Sequence, residues 1–247
     1  MRRKERITSS DFGERADALR VLVEQQLADY WTCHRGQILY SGIDTLAPGK
    51  FYFLGFNPAA DETNPLLCDV RLGMVDWSAY VHQCWYCGLL DRRSEPTSIR
   101  HVRCRHSTRA HQSRVVSVMS RLGIDQPERT FATNLFFIET KRSADLNVQR
   151  LWDPCWGVHR AMLGAVRPRF IVCLGNGEDR SAFSLLRSIA ADKECAPPRG
   201  KLKKFVGTFS LGHGCSLRST VIGVRHPSWS WMAAYDDLRE FVGLAEL

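Results

Sequence analysis

The segment Phe51-Tyr52-Phe53-Leu54 runs directly into Gly55-Phe56-Asn57-Pro58, and far along the chain Val221-Ile222-Gly223-Val224 runs into Arg225-His226-Pro227. Each is a short apolar run of the kind that forms a strand buried on both faces, and each ends in a turn carrying polar side chains. In open α/β sheets, reactive groups collect at the carboxyl ends of the strands, where loops stand on a rigid apolar floor. Asn57 and His226 are therefore the first candidates for a site.

Around these two segments the pattern alternates. Ser9 or Ser10 can cap a helix reaching about Trp31, because Phe12, Ala16, Leu19, Val23, Leu27 and Tyr30 recur at helical spacing. Further strands are expected at Thr130–Phe137, Phe170–Leu174 and Phe205–Phe209. A helix is expected to open at Asp153-Pro154, with Asp153 as cap and proline at the first helical position. Another follows Gly175-Asn176-Gly177, and a last one runs from about Trp231 to Leu244. Strands separated by helices predict an α/β protein with three α/β/α layers and a central, mainly parallel sheet. Gly175-Asn176-Gly177 reads as a tight strand-to-helix turn, since the third glycine of a dinucleotide-binding loop is missing.

At 247 residues the chain is expected to form one domain, with no linker, repeat or low-complexity tract. No apolar stretch approaches a membrane span, and Met1-Arg2-Arg3-Lys4 is not followed by the apolar region of a signal peptide, so a cytoplasmic monomer without membrane contact is expected. Nine cysteines in such a setting predict free thiols or metal ligands. The net charge of +8 and pI near 9.2 favour a polyanionic partner such as nucleic acid.

The segment 82–112 is an irregular, strongly basic insertion. Between Arg92 and Arg114 it carries Arg92, Arg93, Arg100, Arg103, Arg105, Arg109 and Arg114 against a single acid after Asp91, Glu95. Cys84-Trp85-Tyr86-Cys87 followed by Cys104-Arg105-His106 has the C-x2-C and C-x-H spacing of a structural zinc site, with Cys84, Cys87, Cys104 and His106 as ligands. The competing reading is a helix with two buried thiols beside a solvated Arg loop.

Taken in order, Gly55-Phe56-Asn57-Pro58, Thr133-Asn134-Leu135, the strand and glycine turn Phe170–Gly175, and His226-Pro227-Ser228 resemble the motifs of the uracil-DNA glycosylase superfamily. The first motif resembles the G-x-N-P-G of mismatch-specific and thymine-DNA glycosylases and of single-strand-selective uracil glycosylases. The likeness spans roughly residues 50 to 240. It implies a monofunctional DNA glycosylase that flips a damaged, mismatched or C5-modified pyrimidine out of the stack and hydrolyses its N-glycosidic bond. Asn57 and His226 would be catalytic. Gly55, Phe56, Pro58, Ala59 and Asn134 would surround the base, with Asn134 reading its pairing edge. DNA contacts would come from Arg225, Ser228, Trp229 and Trp231, one of the tryptophans serving as wedge, and from Arg100, Arg103, Arg105 and Arg109. No cofactor is required for such catalysis. With no lysine at a motif position, direct hydrolysis is expected rather than a Schiff-base lyase.

The match is a hybrid. Ala59 stands where the nearest relatives have glycine and where housekeeping uracil glycosylases place a tyrosine that blocks C5 of the base, whereas the second motif keeps the histidine of the uracil-type enzymes. Substrate and subfamily stay open, as does the choice between host DNA repair and destruction of modified viral DNA. Asn57-Pro58 is also an ordinary turn dipeptide, and Trp229 and Trp231 fit the core of the last helix equally well. Two rival functions are a non-catalytic nucleic-acid-binding member of the same fold and a zinc-bearing nucleic-acid adaptor.

Overall fold

A computed structural model describes residues 9–61, 64–83, 110–229 and 237–244; in it Phe51–Gly55 is a strand, β1, with every residue buried. Parallel neighbours lie on both sides, β2 (Phe131–Asn134) and β3 (Phe170–Leu174), with Asn134 level with Gly55 and Cys173 level with Leu54. β6 (Cys215–Val224) joins β3 in parallel. β5 (Leu202–Gly212) and β4 (Ala191–Arg199) complete the sheet through antiparallel pairing, giving the order β2-β1-β3-β6-β5-β4. The protein is thus α/β with a six-stranded mixed sheet, a parallel core ending in an antiparallel meander.

The two-residue period of β1 divides its side chains between two cores. Tyr52 and Leu54 join a cluster containing Leu19 and Val23 of α1 (Ser9–Gln26), Val158 and Met162 of α4 (Val148–Val166), and Phe183 of α5 (Ala182–Ile189). Phe51 and Phe53 join the other, with Val115 and Met119 of α3 (Ala110–Arg121) and Leu238 of α6 (Leu238–Val242). Each such side chain taken out of water contributes roughly 1.5–3 kcal/mol, and the rigid floor this makes is what holds the strand ends still.

Several elements depart from expectation for local reasons. The first helix stops at Gln26, and Ala28–Trp31 forms a separate turn of helix, α2. The helix expected at Asp153-Pro154 begins earlier: Asn147 caps α4 by accepting from the Arg150 N–H at 3.1 Å, and Pro154 lies inside the helix, so Asp153 is not its cap. The strand expected over Thr130–Phe137 leaves the sheet after Asn134, although Leu135, Phe136 and Phe137 stay buried. Of the last helix, Leu238–Val242 is seen, closed by Gly243; residues 230–236 lie outside the described residues.

The meander was the least readable part. β4 carries the charged and proline-rich sequence of a loop, and its side chains are nearly all exposed. As the outermost strand it needs only one line of hydrogen bonds, and its register slips between Ala196 and Arg199, where Pro197 and Pro198 lack donors. β5 and β6 both extend beyond the short runs Phe205–Phe209 and Val221–Val224 because their outer halves bury alternate residues only.

At the other side of the sheet, residues 36–41 run past β2 as an irregular strand. Gln37 N–H donates to the Phe137 carbonyl at 3.0 Å and Tyr40 N–H to the Ala132 carbonyl at 2.8 Å, which satisfies an edge that would otherwise be bare. This segment also brings Tyr40 to the carboxyl end of β2. Among the described residues, no helix is long and apolar enough to cross a membrane.

Candidate functional site

The parallel core puts the carboxyl ends of β2, β1, β3 and β6 along one edge, and the motif residues follow those ends. Asn134 closes β2, Asn57 stands two residues beyond β1, Gly175 turns the chain after β3, and His226 stands two residues beyond β6. Only β3 separates β1 from β6, so their ends are about two strand spacings, or about 10 Å, apart.

The amide of Asn57 has a determined orientation. Its Nδ2 donates to the Pro58 carbonyl at 2.9 Å and to Thr140 Oγ1 at 2.8 Å. Thr140 sends its own hydroxyl proton to the Arg142 carbonyl at 2.8 Å, so toward Asn57 it can only accept. Both amide hydrogens are therefore engaged within the protein, and among the described residues no group donates to the Asn57 carbonyl oxygen. Thr140 is held in turn by main-chain pairing, accepting from Ala60 N–H at 3.1 Å beside its bridge to Ala59. Pro58 is buried, Ala59 exposed, and Phe56 half-buried with its ring edge-on to Phe136 at 5.3 Å between centroids.

Asn134 is nearly enclosed, at 5% exposure, and its side chain hydrogen-bonds the Tyr40 phenol. Its Oδ1 fills the place a Cβ would take on Gly55, which is why glycine ends β1. Burial raises the Tyr40 phenol well above its ordinary range, so it remains protonated. Beneath lies a second buried pair. His159 Nε2 faces the Leu135 carbonyl at 3.1 Å and must carry the proton; Nδ1 therefore accepts from Tyr52 Oη at 2.7 Å. Burial pulls His159 down to about 4, keeping it neutral.

The His226 turn is held by α3. Ser228 N–H donates to His226 Nδ1 at 3.3 Å, which in the neutral ring leaves the proton on Nε2. Arg114 Nη1 donates to the Pro227 and Ser228 carbonyls at 2.7 and 3.0 Å. His111 Nδ1 lies 3.2 Å from Ser228 Oγ, and its ring packs on that of His226 with 5.2 Å between centroids. Burial lowers the His226 imidazole, and burial, His226 and Arg114 together lower His111 to about 3. Gly175, at φ 138, lets β3 turn away beside this ring, a conformation closed to other residues; a Cβ there would touch His226 Cδ2 at 3.9 Å.

Asn57, Asn134 and His226 are thus brought to one edge, with Gly55, Phe56, Pro58 and Ala59 around them. Arg225 and Ser228 are exposed beside the turn, but Ser228 is engaged by His111, His226 and Arg114. The Trp229 side chain, Trp231, Arg100, Arg103, Arg105, Arg109 and the zinc candidates Cys84, Cys87, Cys104 and His106 lie outside the described residues. Six cysteines are described, Cys33, Cys68, Cys155, Cys173, Cys195 and Cys215, and all are free thiols. A hollow of about 140 Å³ opens at the opposite edge, against Lys50, Phe51 and Phe131, and contains none of the motif residues.

Tyr40, Tyr80, His111 and Thr140 were not legible as site residues. Tyr40 and Tyr80 stack at 5.6 Å between centroids, and Tyr80 lies 6.5 Å from His111, so rings connect the Asn134 side of the site to the His226 side. Tyr40, Tyr80 and His111 sit in no motif. Arg114, the last arginine of the basic run, turns its guanidinium inward onto the His226 turn.

Fold and site together define an α/β protein with a polar site at the carboxyl edge of its parallel strands. Comparison with protein-family models returns no match, and no curated protein matches the chain.

Proposed function

We propose that the protein is a monofunctional DNA glycosylase of the uracil-DNA glycosylase kind, with the three-layer α/β/α arrangement of that superfamily. The observation that carries this reading is the pair of orientations at the strand ends: Asn57 presents a carbonyl oxygen, and neutral His226 carries its proton on Nε2.

Breaking a pyrimidine N-glycosidic bond separates charge into an oxocarbenium-like sugar and an anionic base. The bonding pair leaves with the base, and a hydrogen bond from His226 Nε2–H to O2 of the base stabilises that negative charge. A neutral imidazole suits this task at neutral pH. Asn57 is no general base; its Oδ1 accepts from a water and aims the oxygen at C1′, and the water proton is released to solvent or to the departed base. Asn134, fixed by Tyr40, reads the pairing edge, and exposed Ala59 leaves the C5 side open. DNA is the partner, with Arg225 and the arginines of the insertion on its phosphates and Trp229 or Trp231 in the gap left by the flipped base.

The test is abasic-site formation on single- and double-stranded oligonucleotides bearing uracil, mismatched thymine and C5-modified pyrimidines, read after alkaline cleavage. Base release is expected, with nearly complete loss in Asn57→Ala at unchanged DNA affinity and a loss of roughly 10²–10³ in His226→Ala. Retained affinity for modified DNA with no release from any substrate would instead make the protein a reader of modified bases.

A further inference from the structure

The first turn of α3 lies against the His226 turn and the segment around Tyr80. Three of its residues point to three different things. Arg114 ties the Pro227 and Ser228 carbonyls, Gln112 ties the Ala79 and Gln83 carbonyls at 2.9 Å each, and His111 lies between, with Tyr80 on one side and His226 on the other. Arg114 and Gln112 each hold main chain. His111 meets a side chain of the candidate catalytic set, that of His226.

We propose that His111 is a positioning residue for His226, setting its tautomer through Ser228 and excluding water from one face of its ring. The inference rests on the reading of His226 as the donor to the departing base. Two contacts carry it. Ser228 binds both histidines, its N–H donating to His226 Nδ1 and its hydroxyl meeting His111 Nδ1, so the hydroxyl contact holds in place the main-chain donor that fixes the proton of His226 on Nε2. The rings lie 5.2 Å apart at 36°, close enough that His111 replaces water over His226. Among the described residues, the groups around the His226 turn include His111 and Arg114 from α3, Ser228 from the turn itself with Arg225 next to His226 in sequence, and Gly175 from the turn after β3. Arg114 is the cation that α3 brings to this turn, and burial is what keeps His226 neutral.

The consequence is a division of labour within one helical turn. Arg114 fixes where the turn lies; His111 fixes which nitrogen of His226 carries the proton and how dry that ring is. Through Tyr80 and Tyr40, the same residue is in ring contact with the group that orients Asn134, so donor and base reader share one support.

Imidazole nitrogen NMR on the full chain separates these roles without reference to activity. In wild type, His226 is expected as the Nε2–H tautomer with a titration midpoint below the ordinary value for histidine. His111→Ala should mix the tautomers and raise the midpoint toward that ordinary value. His111→Phe, which keeps a ring but no polar atom, should restore the low midpoint while leaving the tautomers mixed. Base release at neutral pH should fall on the order of 10²-fold in His111→Ala, because a misaligned donor forfeits its alignment with the base. His226 signals in His111→Ala identical to those of wild type would overturn the proposal. The expected NMR changes in a protein that releases no base would leave the positioning role standing and remove the glycosylase reading instead.

Discussion

Acidification should destabilise this protein through its buried histidines, and for His159 the structure allows the amount to be worked out. His159 is 1% exposed, and its two nitrogens are matched to a carbonyl acceptor on one side and a phenol donor on the other, an arrangement only the neutral ring satisfies. Burial holds it at about 4, against an ordinary value of about 6.5 in the unfolded chain. Because the folded value is depressed, the unfolded state takes up the proton first. The stability His159 contributes is fully present above about pH 6.5, is lost as pH falls from there to about 4, and reaches a total loss of about 3 kcal/mol. Carboxylates, together with His111 and His226, contribute over the same range, so the assay is a difference. Urea unfolding at pH 7.5 and pH 4 is compared between wild type and Tyr52→Phe/His159→Leu, which removes both polar partners together. Wild type should lose about 3 kcal/mol more than the variant over that interval. Equal losses in the two proteins would mean that His159 is either hydrated or already protonated in the folded state. The same histidine holds the Leu135 carbonyl, next to Asn134, so loosening of the segment around Asn134 should accompany the loss.

Three further outcomes are expected. Gly55→Ala drives a Cβ into Asn134 Oδ1 and should break the Tyr40 bond, with a stability loss of about 1–3 kcal/mol and a large fall in single-turnover base release; an unchanged melt with full activity would contradict this packing. Ala59→Tyr should suppress release of C5-substituted pyrimidines more than release of uracil, and an unaltered preference would mean that some other residue closes the C5 side. Affinity for DNA should fall steeply with salt, and alanine at Arg100, Arg103, Arg105 or Arg109 should each lower the slope of log affinity against log salt by about one; a slope indifferent to all four would make the segment a solvated loop.

The parallel core and its polar edge were readable in the chain because β1, β3 and the inner half of β6 are buried on both faces, which forces a continuous apolar run that then stops at a polar turn. Asn57, Asn134 and His226 follow those runs directly, so their common edge came with the strand assignment. What lies at the sheet's margins was hidden. β4 has the composition of a loop and becomes a strand only because β5 offers it a line of hydrogen bonds, and Pro154 enters α4 because Asn147 caps the helix upstream of it. Tyr40 and His111 carry no motif, and they and Thr140 are separated in sequence from the residues they orient. Their roles depend on distances of 83 or more positions along the chain being closed by folding, as between Asn57 and Thr140 or His111 and Ser228, and short-range pattern holds no record of such pairs. Sequence therefore determined which groups stand at the strand ends, because burial imprints on consecutive residues; tertiary structure decided which way those groups point, because a hydrogen-bond direction is set by whatever partner the fold brings opposite.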